Sequence, residues 1–202
     1  MSVDLRNKYD DEWSLDDLVF NNTEINNGDS AEIYSGLDSK GVKIQNDKYN
    51  DLIITHSDTH NIDPNLTKLI IHKENEPANP DTVNPNSGAT GLMQITIPAL
   101  EDFNANNPDK NYTMDDMFDP DKNIEVGTYY FKHTLDNYVR SVRNDYPELV
   151  SGIDDTTLAL SIYNIGIGNV KEKLDETGEL PRGKNDENID YRTKIMADYN
   201  SI

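Results

Sequence analysis

Residues 63–74 constrain the fold of this chain more than any other stretch. Asp63 can accept hydrogen bonds from the free N–H groups of a first helical turn and Pro64 suits the first helical position, so a helix is predicted to start here. Leu66, Ile70 and Glu74 then recur at intervals of four, which sets a carboxyl on the same stripe as the core-facing side chains. Partial desolvation at the end of such a stripe raises a carboxyl pKa and keeps it protonated near neutral pH, as a general acid requires. The loop that follows contains Pro77, Pro80 and Pro85, so it is neither a continuous helix nor a central strand. It closes on Gly88-Ala89-Thr90-Gly91-Leu92-Met93-Gln94.

The remaining elements read as helices. Tyr49, Leu52, Ile53 and His56 share a face that ends before Asp63. Short helices are expected after Thr96 and Thr113 as caps. Asp119 and Pro120 open a longer one, whose Ile124, Gly127, Phe131, Leu135 and Tyr138 follow a three-and-four spacing, with Gly127 admitting a close neighbour. Residues 156–163 are apolar almost all round, which predicts a buried helix broken by Gly166 and Gly168. A further helix carries Val170 and Leu174 and stops at Gly178, and residues 189–199 form the last. No alternating strand pattern and no internal repeat is present. The fold class expected is mainly α.

With 35% hydrophobic residues, the 202-residue chain can bury one core. Its net charge of −20 argues against nucleic-acid phosphates and anionic membrane surfaces as partners, and also against a freely diffusing enzyme acting on anionic walls. There is no cysteine, hence no disulfide framework and no thiolate metal site. No apolar run approaches a membrane span, so no membrane insertion is expected, and the first residues lack the pattern of a secretory leader. Residues 1–48 are polar and acidic and are expected to be a flexible extension or a docking arm built on Trp13, Leu15, Leu18, Val19 and Phe20, dispensable for catalysis. The folded domain is expected over 49–202. His56 and His60 could share a helix face, but no third ligand is nominated, and Asp119, Asp121 and Asn123 fail as a calcium loop because Ile124 and Tyr130 stand where Gly and Glu are needed. No metal and no cofactor is expected.

Four blocks then fall in one order. These are Pro64 to Glu74, Gly88 to Gln94, Asp119-Pro120 through Asn123-Ile124 to Gly127, and Ser161-Ile162-Tyr163-Asn164-Ile165-Gly166-Ile167-Gly168-Asn169-Val170. Together they resemble the soluble lytic transglycosylases, lysozyme-like enzymes that cleave peptidoglycan, over roughly residues 49–196. The resemblance implies a lysozyme-like helical domain and cleavage of the MurNAc-GlcNAc β-1,4 bond by a single Glu, acid and then base, leaving 1,6-anhydro ends. It makes Glu74 the catalytic residue, since the Pro-to-Glu interval matches. Glu76 competes because its spacing to Gln94 fits the family loop better. Glu74 is preferred because helical spacing fixes a side chain's direction whereas loops absorb insertions.

By the same resemblance Met93, Gln94, Tyr163, Asn164 and Glu187 are substrate-binding: Gln94 and Met93 line the glycan groove, Tyr163 bonds near the acid, Asn164 supports the turn, and Glu187 faces the sugars, with Tyr191 four residues on. Asn75, Pro85 and Ile189 depart from the family's usual Ser, Ser and Arg. The partner implied is the glycan strand of peptidoglycan, at the cell wall or periplasm. The charge and the missing leader suggest a module of a larger assembly such as a virion or secretion machine. A hydrolytic lysozyme on the same fold and a non-catalytic structural or glycan-binding virion protein remain the alternatives.

Overall fold

The computed structural model describes residues 33, 34, 44, 46–181 and 187–202, with the backbone alone for 187–190. The apolar cluster of residues 13–20 and the side chain of Glu187 therefore lie outside the described residues. The unit to which the described residues belong spans Glu32–Ile202. It is mainly helical, as expected, and among the described residues the only strand-like pairing is two isolated bridges, Val83 with Thr90 and Thr90 with Ile95.

Helix α1, Asn50–His60, ends on Asn61 in a left-handed conformation. Helix α2, Pro64–Glu74, begins as its sequence predicts, with Asp63 accepting from the Asn65 N–H at 2.8 Å. Every residue of α2 from Leu66 to His72 is buried, so the helix is enclosed in all directions. Helices α1 and α8 (Glu187–Tyr199) pack along it. Two polar residues of α2 are satisfied inside: the Ser57 hydroxyl donates to the Thr67 hydroxyl at 2.8 Å, and Lys68 Nζ donates to Asp47 Oδ1 and to Asn50 Oδ1 at 2.7 Å. Asn46 adds a bond to the Lys68 carbonyl at 2.8 Å. A buried ammonium needs such partners, because its desolvation is otherwise uncompensated.

Helix α3, Ile97–Asn106, forms as expected although Thr96 makes no capping bond. Instead of capping a regular helix, Thr113 gives its N–H and hydroxyl to Asp116 at the head of a 3₁₀ segment, Met114–Phe118. Helix α4, Pro120–His133, is capped by Asp119. It does not continue as the single regular helix that the spacing suggests: a π-helical turn, Thr134–Tyr138, separates it from α5, Val139–Asp145. Helix α6, Asp155–Ile165, is the predicted buried helix, with Leu158, Ala159, Leu160, Ser161 and Ile162 enclosed, and it packs on α4, α8 and the π turn. Gly166 ends it at φ 82°, but Gly168 lies inside the next helix, α7 (Ile167–Thr177), which stops at Gly178 as expected.

The core reaches earlier than residue 49. Ile44 and Asn46 are fully buried, Ile33 and Tyr34 pack against the core, and the Tyr34 N–H donates to Asn65 Oδ1 at 2.8 Å. Removing residues 1–48 therefore deletes a core side chain and strips Lys68 of Asp47, a loss expected to exceed about 3 kcal/mol. Urea unfolding of chains starting at residues 33 and 49 should show the midpoint falling for the second relative to the first.

Candidate active site

Glu74 is the last residue of α2 and is half-buried. Burial lifts its carboxyl from 4.5 to about 7, against smaller opposing effects of the Tyr191 hydroxyl and Lys73. Tyr191, on α8, is 4% exposed. Its hydroxyl meets no partner at hydrogen-bonding geometry among the described residues, yet it is near enough for the two groups to shift each other's acidity. It is thus an adjacent phenol not fully engaged by the acid. Tyr163, on α6, is the second phenol beside Glu74: burial first, then the Glu74 charge, pushes it well above its ordinary value. Its ring lies 5.7 Å from Tyr130 and 5.9 Å from Phe131, both on α4.

What fixes these groups is a net of amide side chains. Asn75, capping α2 immediately after the acid, is buried and uses all of its amide. Its Nδ2 donates to the Asn79 carbonyl at 2.6 Å and the Gly91 carbonyl at 2.9 Å, while its Oδ1 accepts from the Asn79 N–H and the Thr82 hydroxyl, each at 3.2 Å. The Gly91 carbonyl also receives Gln94 Nε2 at 2.9 Å, so the acid-bearing helix and the Gln94 side chain are referred to one oxygen. Gly91 sits at φ 80°, and a Cβ there would collide with Asn123 and the Met117 carbonyl, so glycine is required twice over.

Asn123, fully buried on α4, completes the net. It donates to the Thr90 carbonyl at 3.0 Å and the Met117 carbonyl at 2.8 Å, and accepts the Met93 N–H at 2.8 Å. The Met93 carbonyl in turn accepts the Tyr163 hydroxyl at 2.9 Å.

The structure therefore brings Glu74, Gln94 and Tyr163 together. Met93 is placed otherwise than expected: its side chain is fully buried against Gly127, where a Cβ would overlap it, so it lines the core and serves the site through its backbone. Gly127 admits the close neighbour that was anticipated. Asn164 is exposed near the end of α6, and the Glu187 side chain lies outside the described residues. Glu76 is exposed in the loop, before a cis bond to Pro77, and off the α2 stripe. The sequence placed Asn123 in the Asp119–Gly127 block without giving it a role, and the role of Asn75 was not anticipated. A buried-face amide beside Ile124 and Gly127, and an amide directly after the acid, were the available signals. Among the described residues no three His, Asp or Glu side chains are grouped so as to hold a metal.

The described residues thus form an enclosed helical domain that presents one carboxyl of raised pKa beside two tyrosines. The chain belongs to the transglycosylase SLT domain family, whose model matches residues 51–185. It is 26% identical over 133 residues to membrane-bound lytic murein transglycosylase E of Buchnera aphidicola subsp. Acyrthosiphon pisum, an alignment covering 63% of this chain and 59% of the relative. It is 31% identical over 86 residues to membrane-bound lytic murein transglycosylase F of Alteromonas mediterranea, covering 43% of this chain but 15% of that one. The fold is that of the 70 kDa soluble lytic transglycosylase from Escherichia coli, with a TM-score of 0.54 at 23% identity over 74% of this chain and 23% of that one. The chain thus spans less than two thirds of each of these proteins.

Two outcomes follow from the geometry. Asn75→Ala removes four hydrogen bonds, including the acceptor of the Asn79 N–H and of the Thr82 hydroxyl, and should cost roughly 2–3 kcal/mol in urea unfolding. Glu74 is raised above its unfolded value, so the stabilising effect of its neutral form is complete below pH 4.5 and lost as pH rises through about 7. Glu74→Gln should accordingly match the parent near pH 4 and exceed it at pH 8 by up to roughly 3 kcal/mol, less any solvent screening. Thermal unfolding of the pair across that range measures it.

Proposed function

We propose that this chain is a peptidoglycan lytic transglycosylase, cleaving the β-1,4 bond between MurNAc and GlcNAc with Glu74 as the one acid and base. The observation that carries the reading is a carboxyl held near pKa 7 by burial, fixed by Asn75 to the turn that also carries Gln94. At neutral pH about half of such a group is protonated, so one residue can give a proton and take it back.

Protonated Glu74 donates to the bridging oxygen as the C1–O4 bond breaks, and the carbonyl oxygen of the sugar's own N-acetyl group closes on C1. The Glu74 carboxylate then removes the proton of the 6-hydroxyl. That oxygen displaces the N-acetyl oxygen from C1, giving the 1,6-anhydro end with Glu74 again protonated and no water consumed. No second carboxylate is needed, unlike the two-carboxylate arrangement of most glycosidases. Tyr163, anchored on the Met93 carbonyl, orders the geometry, and Tyr191 offers a hydroxyl beside the acid. The substrate is the glycan strand at the bacterial cell wall or periplasm. The strong negative charge supports delivery by a larger assembly, such as a virion or secretion machine, over free diffusion. Among the described residues no helix is long and apolar enough to cross a membrane.

Glu74→Gln should keep the fold and reduce cleavage of purified sacculi by at least about 10³-fold, since the amide cannot donate the proton. Cleavage by the parent should decline as pH rises above about 7, where the acid form is lost. Mass spectrometry of products formed in ¹⁸O-water decides the reaction type. Anhydro ends without heavy oxygen are expected, whereas reducing ends carrying it would identify a hydrolytic lysozyme.

A further inference from the structure

Beyond Tyr163 the phenol cluster continues into groups that the cleavage reaction does not use. Tyr130 lies between Tyr163 at 5.7 Å and Tyr138 at 6.3 Å, and the Tyr130 and Tyr138 rings meet at 71°, as two walls of a corner. Tyr138 also stands 5.0 Å from the His133 ring, and Tyr129 lies 5.8 Å from His133 on the other side. The π-helical turn explains this clustering. Residues five apart diverge by about 140° on an α-helix but come into line where bonds close from i to i+5, so His133 and Tyr138 share a side. The irregularity is accompanied by a buried Thr134 hydroxyl with no partner among the described residues, and π turns of this kind concentrate at functional positions.

Facing this corner from α3 is Asp102, whose side chain is 23% exposed. Its Oδ2 is buried without a hydrogen-bond partner among the described residues, and the His133 Nε2 is 3.7 Å away, within ion-pair distance when that ring is protonated but too far for a hydrogen bond. The ammonium of Lys132, on α4, is engaged by Asp136 at 2.8 Å. The His133 Nδ1 is approached by the Tyr129 hydroxyl and the Asn137 amide, both at 3.4 Å. The Asp102 charge acts on all three phenols: with burial as the larger cause, Tyr129 and Tyr130 are pushed up to about 12 and Tyr138 upward. A half-buried carboxylate bordered by aromatic rings, with a histidine at ion-pair distance but no hydrogen bond to its buried oxygen, is suited to a cation, which gains from both the charge and the ring faces.

We propose that Asp102, with Tyr130 and Tyr138, forms a subsite for an organic ammonium group, and that on the wall substrate this group is the free side-chain amine of a diamino acid in the stem peptide. The second half rests on the peptidoglycan reading above. The subsite adjoins Tyr163, so a peptide borne by a sugar bound at Glu74 lies toward it. A sugar hydroxyl would also bond to a carboxylate, but it gains nothing from the charge that sets this corner apart.

The test uses the full chain carrying Glu74→Gln, so that binding is read without cleavage, and sacculi in native form and after acetylation of their free amines. Native sacculi should bind at least about threefold tighter. Adding Asp102→Asn, or separately Tyr138→Leu, should bring the ratio to about one. General attraction of the walls' free amines to a protein of net charge −20 is almost unaffected by one charge, so collapse of the ratio reports the subsite. A ratio of about one before any subsite change overturns the proposal, as does an equal loss on both walls with Asp102→Asn, which would indicate recognition of sugar hydroxyls. If the protein binds neither wall, the peptidoglycan reading fails, and the ammonium site is judged with Nα-acetyl-lysine amide. Shifts in the NMR signals of Asp102 and Tyr138 are expected with this probe, and their absence overturns it.

Discussion

A carboxyl can stay half-dry at the end of a helix only if the surrounding chain is held by bonds that do not involve it. Here that task falls to the side-chain amide of Asn75. Four hydrogen bonds from one residue join the end of α2 to the Pro/Asn-rich loop and to the Gly91 carbonyl, the same oxygen that orients Gln94. Asn123 holds the other side of the same turn, and through Met93 the bond passes to Tyr163. Among the described residues the Tyr191 hydroxyl and the Lys73 charge act on the acid less than its burial does. This is the condition under which burial, instead of an ion pair, sets its proton affinity.

Much of this was legible in sequence because it follows from local rules. The Asp63 cap, the α2 stripe ending in Glu74, the Asp119 cap and the stop at Gly178 depend on nearest neighbours, and all appear where the pattern puts them. Features that depend on contacts across the fold were not. Met93 looks like any apolar residue beside a groove motif, and only the meeting of its side chain with Gly127 shows that it points inward. The departure at Asn75 read as a loss of a usual serine. Its bonds to residues 79, 82 and 91 could not be seen from its position alone.

The π-helical turn escaped for a related reason. Ile124, Gly127, Phe131, Leu135 and Tyr138 fit a regular spacing well enough that one inserted phase change leaves no mark on the pattern. Likewise Ile44 lies in a polar stretch with no period, and its burial arises from packing against elements far along the chain.

The enclosure of α2 has a further consequence. Seven successive residues turned toward protein leave that helix no free face. A ligand or modification arriving at the surface cannot press on the acid through its own helix without first loosening the core. Rapid reversible control through such a helix is hard to build inside the domain, so for the wall cleavage proposed above the simplest control is exerted from outside it, by deciding when and where the protein meets its polymer.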